Sequence, residues 1–283
     1  MAKIEEKSIN LSEETIGFIG GGNMARAIAV PLIKKGFVQA KNIWVSARTE
    51  KTLEFWKDLG VNTTLHNIEV CTNCQTVVLA VKPQFLNDAL RTIEFPAADN
   101  LWISVIVGIT IDSLVERFLR YTHQKNVRLI RTLPNTPLAV GKGITVYSCL
   151  PEVIDSRDSK LVEAIFSKSG VVERIDESMM NAVSALSGSG PAYAYLMIEA
   201  LADGAVKNGV PRALANKLAA QMFVGAGEMV LQMGKHPGQL KDEVCSPGGT
   251  TIAGVHALET SGVRGSLMNA IDAAVQRANE FKS

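Results

Sequence analysis

The sequence predicts an α/β fold, a doubly wound parallel sheet in the N-terminal part followed by an all-helical region. Three observations predict it. Short apolar runs separated by helical stretches recur as far as about residue 147. A glycine-rich loop, Gly20-Gly21-Gly22-Asn23-Met24, follows directly on the first of those runs. Beyond about residue 170 the β-branched runs stop, and Ala- and Met-rich segments take over. We accordingly expect one domain over residues 1–170 and a second over 171–283, in keeping with a chain of 283 residues.

Taken in order, Ile16–Ile19 is the first strand, and the helix after the glycine loop runs to Lys35 and stops at Gly36. Pro31 falls inside that helix and is expected to kink it. Ile43–Val45 is the next strand, followed by a helix over Thr49–Leu59 that ends at Gly60. Thr76–Val81 and Trp102–Val107 are continuous apolar runs rich in β-branched residues, as strands covered on both faces require. Val127–Ile130 and Ile144–Tyr147 add two later strands. Strands alternating with roughly 10–15 helical residues imply βαβ units and a parallel sheet.

In the second domain the helical segments are Ser178–Leu186, Pro191–Asn208, Pro211–Met233, Thr251–Glu259 and Arg264–Phe281. Pro191 and Pro211 suit a first helical turn, and Gly209 and Gly234 suit helix ends. Pro191–Asn208 is apolar almost all round, so it must be buried on most sides. A domain this small offers little interior, and a second copy of the chain is the expected cover.

Composition narrows the function classes. Lys and Arg total 29 against 28 Asp and Glu, a net charge of +1, which argues against nucleic acid as a partner. A hydrophobic fraction of 47% excludes a disordered chain. The longest apolar run, Trp102–Ile109, is far short of the roughly 20 residues that span a bilayer, so no membrane partner is expected. Met1–Glu14 mixes Lys and Glu and reads as neither a signal nor a transit peptide, which gives a cytoplasmic expectation. The four cysteines are too scattered for a disulfide framework. Cys71 and Cys74 form a lone C-x-x-C with no second pair, and they read as reduced thiols beside a buried strand rather than a metal or redox centre.

Gly20-x-Gly22-x-x-Ala25, after a strand and before a helix, is the dinucleotide fingerprint of a Rossmann-type domain. The first glycine permits a tight turn, the second lets backbone approach a pyrophosphate, and the helix N-terminus supplies donors and a favourable dipole. An NAD site normally carries an acid at the end of the second strand. Here that strand ends Val45-Ser46-Ala47-Arg48-Thr49, and Ser46 with Arg48 suits a 2′-phosphate. NADP is therefore favoured over NAD, although an arginine solvated at a helix start would look the same. Ala80-Val81-Lys82-Pro83-Gln84 closes the Thr76–Val81 strand at the sheet edge where ligands sit, with Lys82 available to cofactor phosphate. Val107-Gly108 leaves room for the nicotinamide half.

Two small-residue loops lead into helices of the second domain: Leu186–Pro191 and Ser246-Pro247-Gly248-Gly249-Thr250-Thr251. Backbone N–H groups in such loops suit a carboxylate. Read alone, either is equally an ordinary helix start.

Five stretches carry a family resemblance: IGFIGGGNMA at Ile16–Ala25, AVKPQ at Ala80–Gln84, RTLPNTPLAV at Arg131–Val140, LSGSGPAY at Leu186–Tyr193 and DEVCSPGGTTIAGVHALE at Asp242–Glu259. The sequence resembles the pyrroline-5-carboxylate reductases from Thr15 to about Asn279. The resemblance implies NAD(P)H-dependent reduction of 1-pyrroline-5-carboxylate to L-proline. It also implies a helical dimerisation domain that forms an interlocked homodimer, often assembled into a decamer. By matching position, Ser246, Gly248, Gly249, Thr250 and Thr251 form the substrate loop, and the Thr251 hydroxyl meets the ring nitrogen. Gly20, Gly21, Gly22, Asn23, Met24, Ser46, Arg48, Asn67, Ala80, Val81, Lys82 and Pro83 are the expected cofactor contacts, and no metal is expected.

The chemistry of the residues agrees with this implication. Ketone reduction creates an alkoxide and needs a proton donor, whereas a protonated cyclic imine becomes a neutral amine directly. His66, His123, His236 and His256 lie in none of the glycine loops and read as surface or packing residues. Two other classes stay open: a β-hydroxyacid dehydrogenase, which needs a lysine that Ser178–Leu186 lacks, and a non-catalytic NADPH-binding sensor.

Overall fold

The computed structural model describes residues 9–93, 99–122 and 127–280; Met1–Ser8, His123 and Phe281, for which expectations were stated, lie outside them. The chain divides into two compact units, Met1–Gly188 with Val275–Ser283, and Ser189–Ala274.

The first unit is built on an eight-stranded sheet: β1 (Ile16–Ile19), β2 (Ile43–Ser46), β3 (Asn62–Thr64), β4 (Thr76–Leu79), β5 (Leu101–Ser104), β6 (Arg128–Pro134), β7 (Gly143–Cys149) and β8 (Gly170–Arg174), in the order β3-β2-β1-β4-β5-β6-β7-β8. All neighbours run parallel except β6 and β7. The direction of winding reverses between β1 and β4, and the crevice beyond their carboxyl ends is where such sheets bind ligands. The helices are α1 (Asn23–Lys34), α2 (Glu50–Asp58), α3 (Asn67–Asn73), α4 (Leu86–Arg91), α5 (Ile111–Thr122), α6 (Arg157–Ser167) and α7 (Met180–Val183).

Burial explains why the apolar runs became central strands. Every residue of β1, β4 and β5 is buried, with one hydrophobic cluster on each face of the sheet. Ala25 is fully buried at the start of α1, which lets that helix lie close to the sheet. β4 and β5 end earlier than their apolar runs. Ala80 N–H still bonds Ile19 O at 2.9 Å, but Pro83 has no N–H to offer and the chain turns away. After Ser104 its own hydroxyl accepts from Ile106 N–H, and Gly108 adopts φ +84°.

Two strands lack a continuous apolar run. β3 is three polar residues at one sheet edge, and β8 is a largely exposed strand at the other. Pro31 does not interrupt α1, which runs as one helix. The proline lies in its last turn, its ring is buried, and Lys35 N–H still reaches Pro31 O at 3.0 Å. The Ala27 carbonyl, four residues back, is the one that loses its donor to the proline ring. The segment expected as one helix over Ser178–Leu186 is three: a 3-10 turn at Glu177–Met179, α7, and a π-helical turn at Ser184–Gly188. Ser187 Oγ donates to Val183 O and Asn135 Nδ2 donates to Ser187 O, which holds the widened turn.

The second unit holds α8 (Gly190–Lys207), α9 (Arg212–Met233), α10 (Pro237–Val244), α11 (Thr250–Thr260) and the first part of α12 (Val263–Glu280). Pro191 sits in the first turn of α8, whereas Pro211 caps α9 from outside. Gly209 and Gly234 take positive φ at helix ends. α10 lacks a periodic apolar face and starts Pro-Gly, which hid it in the sequence; His236 Nδ1 accepts from Gly238 N–H and caps it. The buried apolar cluster of this unit is only Ala202, Ala215 and Ala219, where α8 meets α9. Tyr195, Leu196, Leu218, Leu231 and Met268 are all more than half exposed. A single copy therefore leaves most of its apolar side chains in water, the condition of a surface built to be covered.

Candidate active site

Each glycine of the first loop has its own reason. Gly20 has φ +103°, and a Cβ there would stand 2.7 Å from Ala80 O and 3.1 Å from Val81 Cγ1, so the β4 end presses directly on the loop. A Cβ on Gly21 would meet Trp56 Nε1 at 2.8 Å. That buried indole donates to Gly21 O at 3.0 Å and ties the loop to α2. Gly22 differs: it is exposed and a Cβ would meet nothing within 4 Å, so nothing inside the protein demands glycine there.

Gly22 is also the N-cap of α1, with no side chain capping the helix. Gly20 N–H bonds Ser46 O at 3.0 Å and Arg26 N–H bonds Gly22 O at 3.0 Å. Among the described residues, the N–H groups of Gly21, Gly22, Asn23, Met24 and Ala25 have no acceptor. An uncapped helix N-terminus below an open glycine is a ready receptor for a pyrophosphate.

At the end of β2, Ser46 is fully buried and its hydroxyl donates to Asn67 Oδ1 at 2.6 Å. Asn67 Nδ2 in turn donates to Ala89 O at 3.2 Å and Thr92 Oγ1 at 2.8 Å. Two residues singled out from the sequence thus form one network joining β2, α3 and α4, and their polar atoms are committed to it. Arg48 is exposed and stacks over Phe85 at 3.9 Å from the ring centroid. Lys82 is exposed at the head of the 3-10 turn Pro83–Phe85, and no acid among the described residues pairs with it. Trp56 and Phe85 carry no motif, and only the fold brings them against Gly21 and Arg48.

In the helical unit, Gly248 has φ +68° with open space around it, and Gly249 N–H bonds Ser246 O at 3.0 Å. Gly249 caps α11, again without a side-chain cap. Among the described residues, the Thr250, Thr251 and Ile252 N–H groups have no acceptor. Beside this loop lies an open cleft of about 570 Å³, lined by Lys241, Gly248, Gly249, Ile252, His256 and Glu259 among others. His256 borders it from α11, a closeness that its sequence distance from the glycines concealed. The other small-residue stretch, Leu186–Pro191, is the π-helical turn running on toward α8 rather than an open loop.

Cys71 and Cys74 are free and buried, and burial pushes both thiols up to about 12. No group of His, Cys, Asp and Glu suited to a metal ion occurs among the described residues. No helix among them is long and apolar enough to cross a membrane.

Residues 177–281 match the family described as pyrroline-5-carboxylate reductase dimerisation, and residues 15–108 match the one described as NADP oxidoreductase coenzyme F420-dependent. The pyrroline-5-carboxylate reductase of Pisum sativum is 42% identical over 268 residues, covering 94% of this chain and 96% of the pea protein. That of Arabidopsis thaliana is 42% identical over 268 residues, with 94% and 95% covered. The Plasmodium falciparum pyrroline carboxylate reductase, solved with NADP bound, aligns with a TM-score of 0.86 at 33% identity over 96% of this chain and 100% of that one. The Coxiella burnetii pyrroline-5-carboxylate reductase aligns at 0.81 and 37% identity over 95% of this chain and 99% of that one. Agreement at this identity across both units, and not a shared fold alone, means that the chain belongs to the pyrroline-5-carboxylate reductase family.

Proposed function

We propose that this protein reduces 1-pyrroline-5-carboxylate to L-proline with NADPH. The observation that carries the proposal is a pair of uncapped helix N-termini, Gly21–Ala25 at α1 and Thr250–Ile252 at α11, each with unpaired N–H groups under an open glycine. The first suits a pyrophosphate and the second a carboxylate. Bound NADPH supplies the hydride.

The residues of the chain supply binding and orientation. Gly20, Gly21, Gly22, Asn23 and Met24 cradle the pyrophosphate, with Ala80, Val81 and Pro83 forming the facing wall and Lys82 adding positive charge. Arg48 receives the 2′-phosphate, and Ser46 and Asn67 hold the end of β2 for it. Ser246, Gly248, Gly249 and Thr250 hold the substrate carboxylate. The Thr251 hydroxyl hydrogen-bonds the ring nitrogen and orients the imine. A protonated imine becomes an amine on reduction, so no side chain has to protonate an alkoxide.

The working form is a homodimer through the apolar helices of the second unit, assembled further into a decamer, in the cytoplasm. The functional boundary lies near residue 170, between a cofactor domain of 1–170 and a substrate and dimerisation domain of 171–283. Loss of NADPH absorbance is followed with pyrroline-5-carboxylate, then with hydroxyacids, then with neither. Oxidation with the imine alone supports the reading; oxidation with hydroxyacids alone, or with none, refutes it. Light scattering of the purified protein reads the assembly, and a monomer would refute the dimer.

A further inference from the structure

A cation without an acid partner rests on an aromatic ring at the edge of the cofactor crevice. The Arg48 guanidinium carbon lies 3.9 Å from the centroid of Phe85, well inside the range of a cation–π contact. Arg48 follows β2 and Phe85 ends the 3-10 turn after β4. Since β2 and β4 flank β1, the contact reaches across the carboxyl end of β1 and its glycine loop. The ring is itself held: Phe85 is half-buried and its N–H bonds Lys82 O at 2.9 Å. Among the described residues Arg48 makes no ion pair or hydrogen bond, so its N–H edge is available to an anion while Phe85 covers one face.

We propose that Phe85 is the positioning residue that holds Arg48 for a 2′-phosphate, and that it thereby sets the preference for NADPH over NADH. The proposal rests on the reading of Arg48 as the phosphate-binding residue. An arginine free in water loses rotamer freedom when it meets a phosphate, whereas one already stacked loses less. Neither residue type nor spacing in the sequence marks Phe85, because the contact joins two loops 37 positions apart by chain numbering.

The test is equilibrium binding of 2′,5′-ADP and of 5′-AMP to the whole protein by calorimetry, with melting curves to verify folding. Arg48→Ala is expected to weaken 2′,5′-ADP by about tenfold or more, as loss of a charge-assisted contact does. Phe85→Leu is expected to weaken it about three- to tenfold. Both should change AMP affinity less than twofold. Phe85→Trp keeps the platform and should retain the wild-type preference, and Phe85→Leu should add nothing in the Arg48→Ala background. Three results overturn the proposal. If Arg48→Ala loses 2′,5′-ADP and Phe85→Leu does not, Phe85 has no positioning role. Equal losses of both nucleotides in Phe85→Leu make the ring an adenine surface instead. Unchanged 2′,5′-ADP binding in Arg48→Ala removes the underlying reading of Arg48 as well.

Discussion

Gly22→Ala separates what the fold needs from what the cofactor needs. A Cβ at this position meets nothing within 4 Å, and the residue has φ −78° and ψ −167°, a conformation open to alanine. On the folded side, alanine is a poorer N-cap than glycine by several tenths of a kcal/mol. On the unfolded side, replacing glycine stabilises by about 0.4–1 kcal/mol through chain entropy. The two nearly cancel, so stability should stay within about 1 kcal/mol, or about 2–4 °C in Tm. Binding should behave differently. The new methyl group enters the open space at the loop, and it should displace an anion from one or two of the unpaired N–H groups from Gly21 to Ala25. At about 1.5–3 kcal/mol per hydrogen bond to a charged group, NADPH should bind at least about tenfold more weakly. Gly20→Ala is the contrast: φ of +103° and a Cβ 2.7 Å from Ala80 O should cost about 1–3 kcal/mol of stability before any ligand is added. Melting curves with and without NADPH, and titration of NADPH fluorescence, measure both quantities. A Gly22→Ala protein that melts like wild type and binds NADPH just as tightly would refute the pyrophosphate assignment.

Other expectations follow from the same geometry. Thr251→Val should lower kcat/KM for the imine by about 5- to 150-fold, the loss of one hydrogen bond worth about 1–3 kcal/mol, with NADPH affinity unchanged; unaltered kinetics would remove Thr251 from the mechanism. Trp56→Phe leaves Gly21 O buried without its donor, so it should destabilise the protein by about 1–3 kcal/mol and weaken NADPH binding, as melting and fluorescence titration would read. Cys71 and Cys74 thiols are raised from 9.0 to about 12 by burial, so the folded state binds their protons more tightly than the unfolded chain does. Their contribution to stability is complete below pH 9 and falls as pH rises from 9 toward 12, which denaturant midpoints against pH would detect. In the native protein at neutral pH both should resist a thiol reagent that labels them readily in denaturant.

Where a local pattern and a physical need coincide, the sequence alone was sufficient. Continuous apolar runs predicted the central strands because a strand covered on both faces has no polar side to show. Gly20-x-Gly22-x-x-Ala25 announced the turn from β1 into α1 because a strand end, absent side chains and a helix start all fall within a few residues. Polar edge strands such as β3 escaped because nothing in a run of three polar residues distinguishes a ladder from a loop. Pro31 did not end α1, which continues to Lys34.

Other features were decided by tertiary structure. The sequence named Ser46 and Asn67 separately, and the fold joined them through a 2.6 Å hydrogen bond. Trp56 meets Gly21, and Phe85 meets Arg48, only because the sheet order places β2 and β4 on either side of β1. Composition, spacing and periodicity report what a residue prefers near its own chain neighbours. Which distant side chain fills the space above a glycine, or lies flat against a guanidinium, depends on how the strands are ordered in the sheet, and that order is a property of the packed core as a whole.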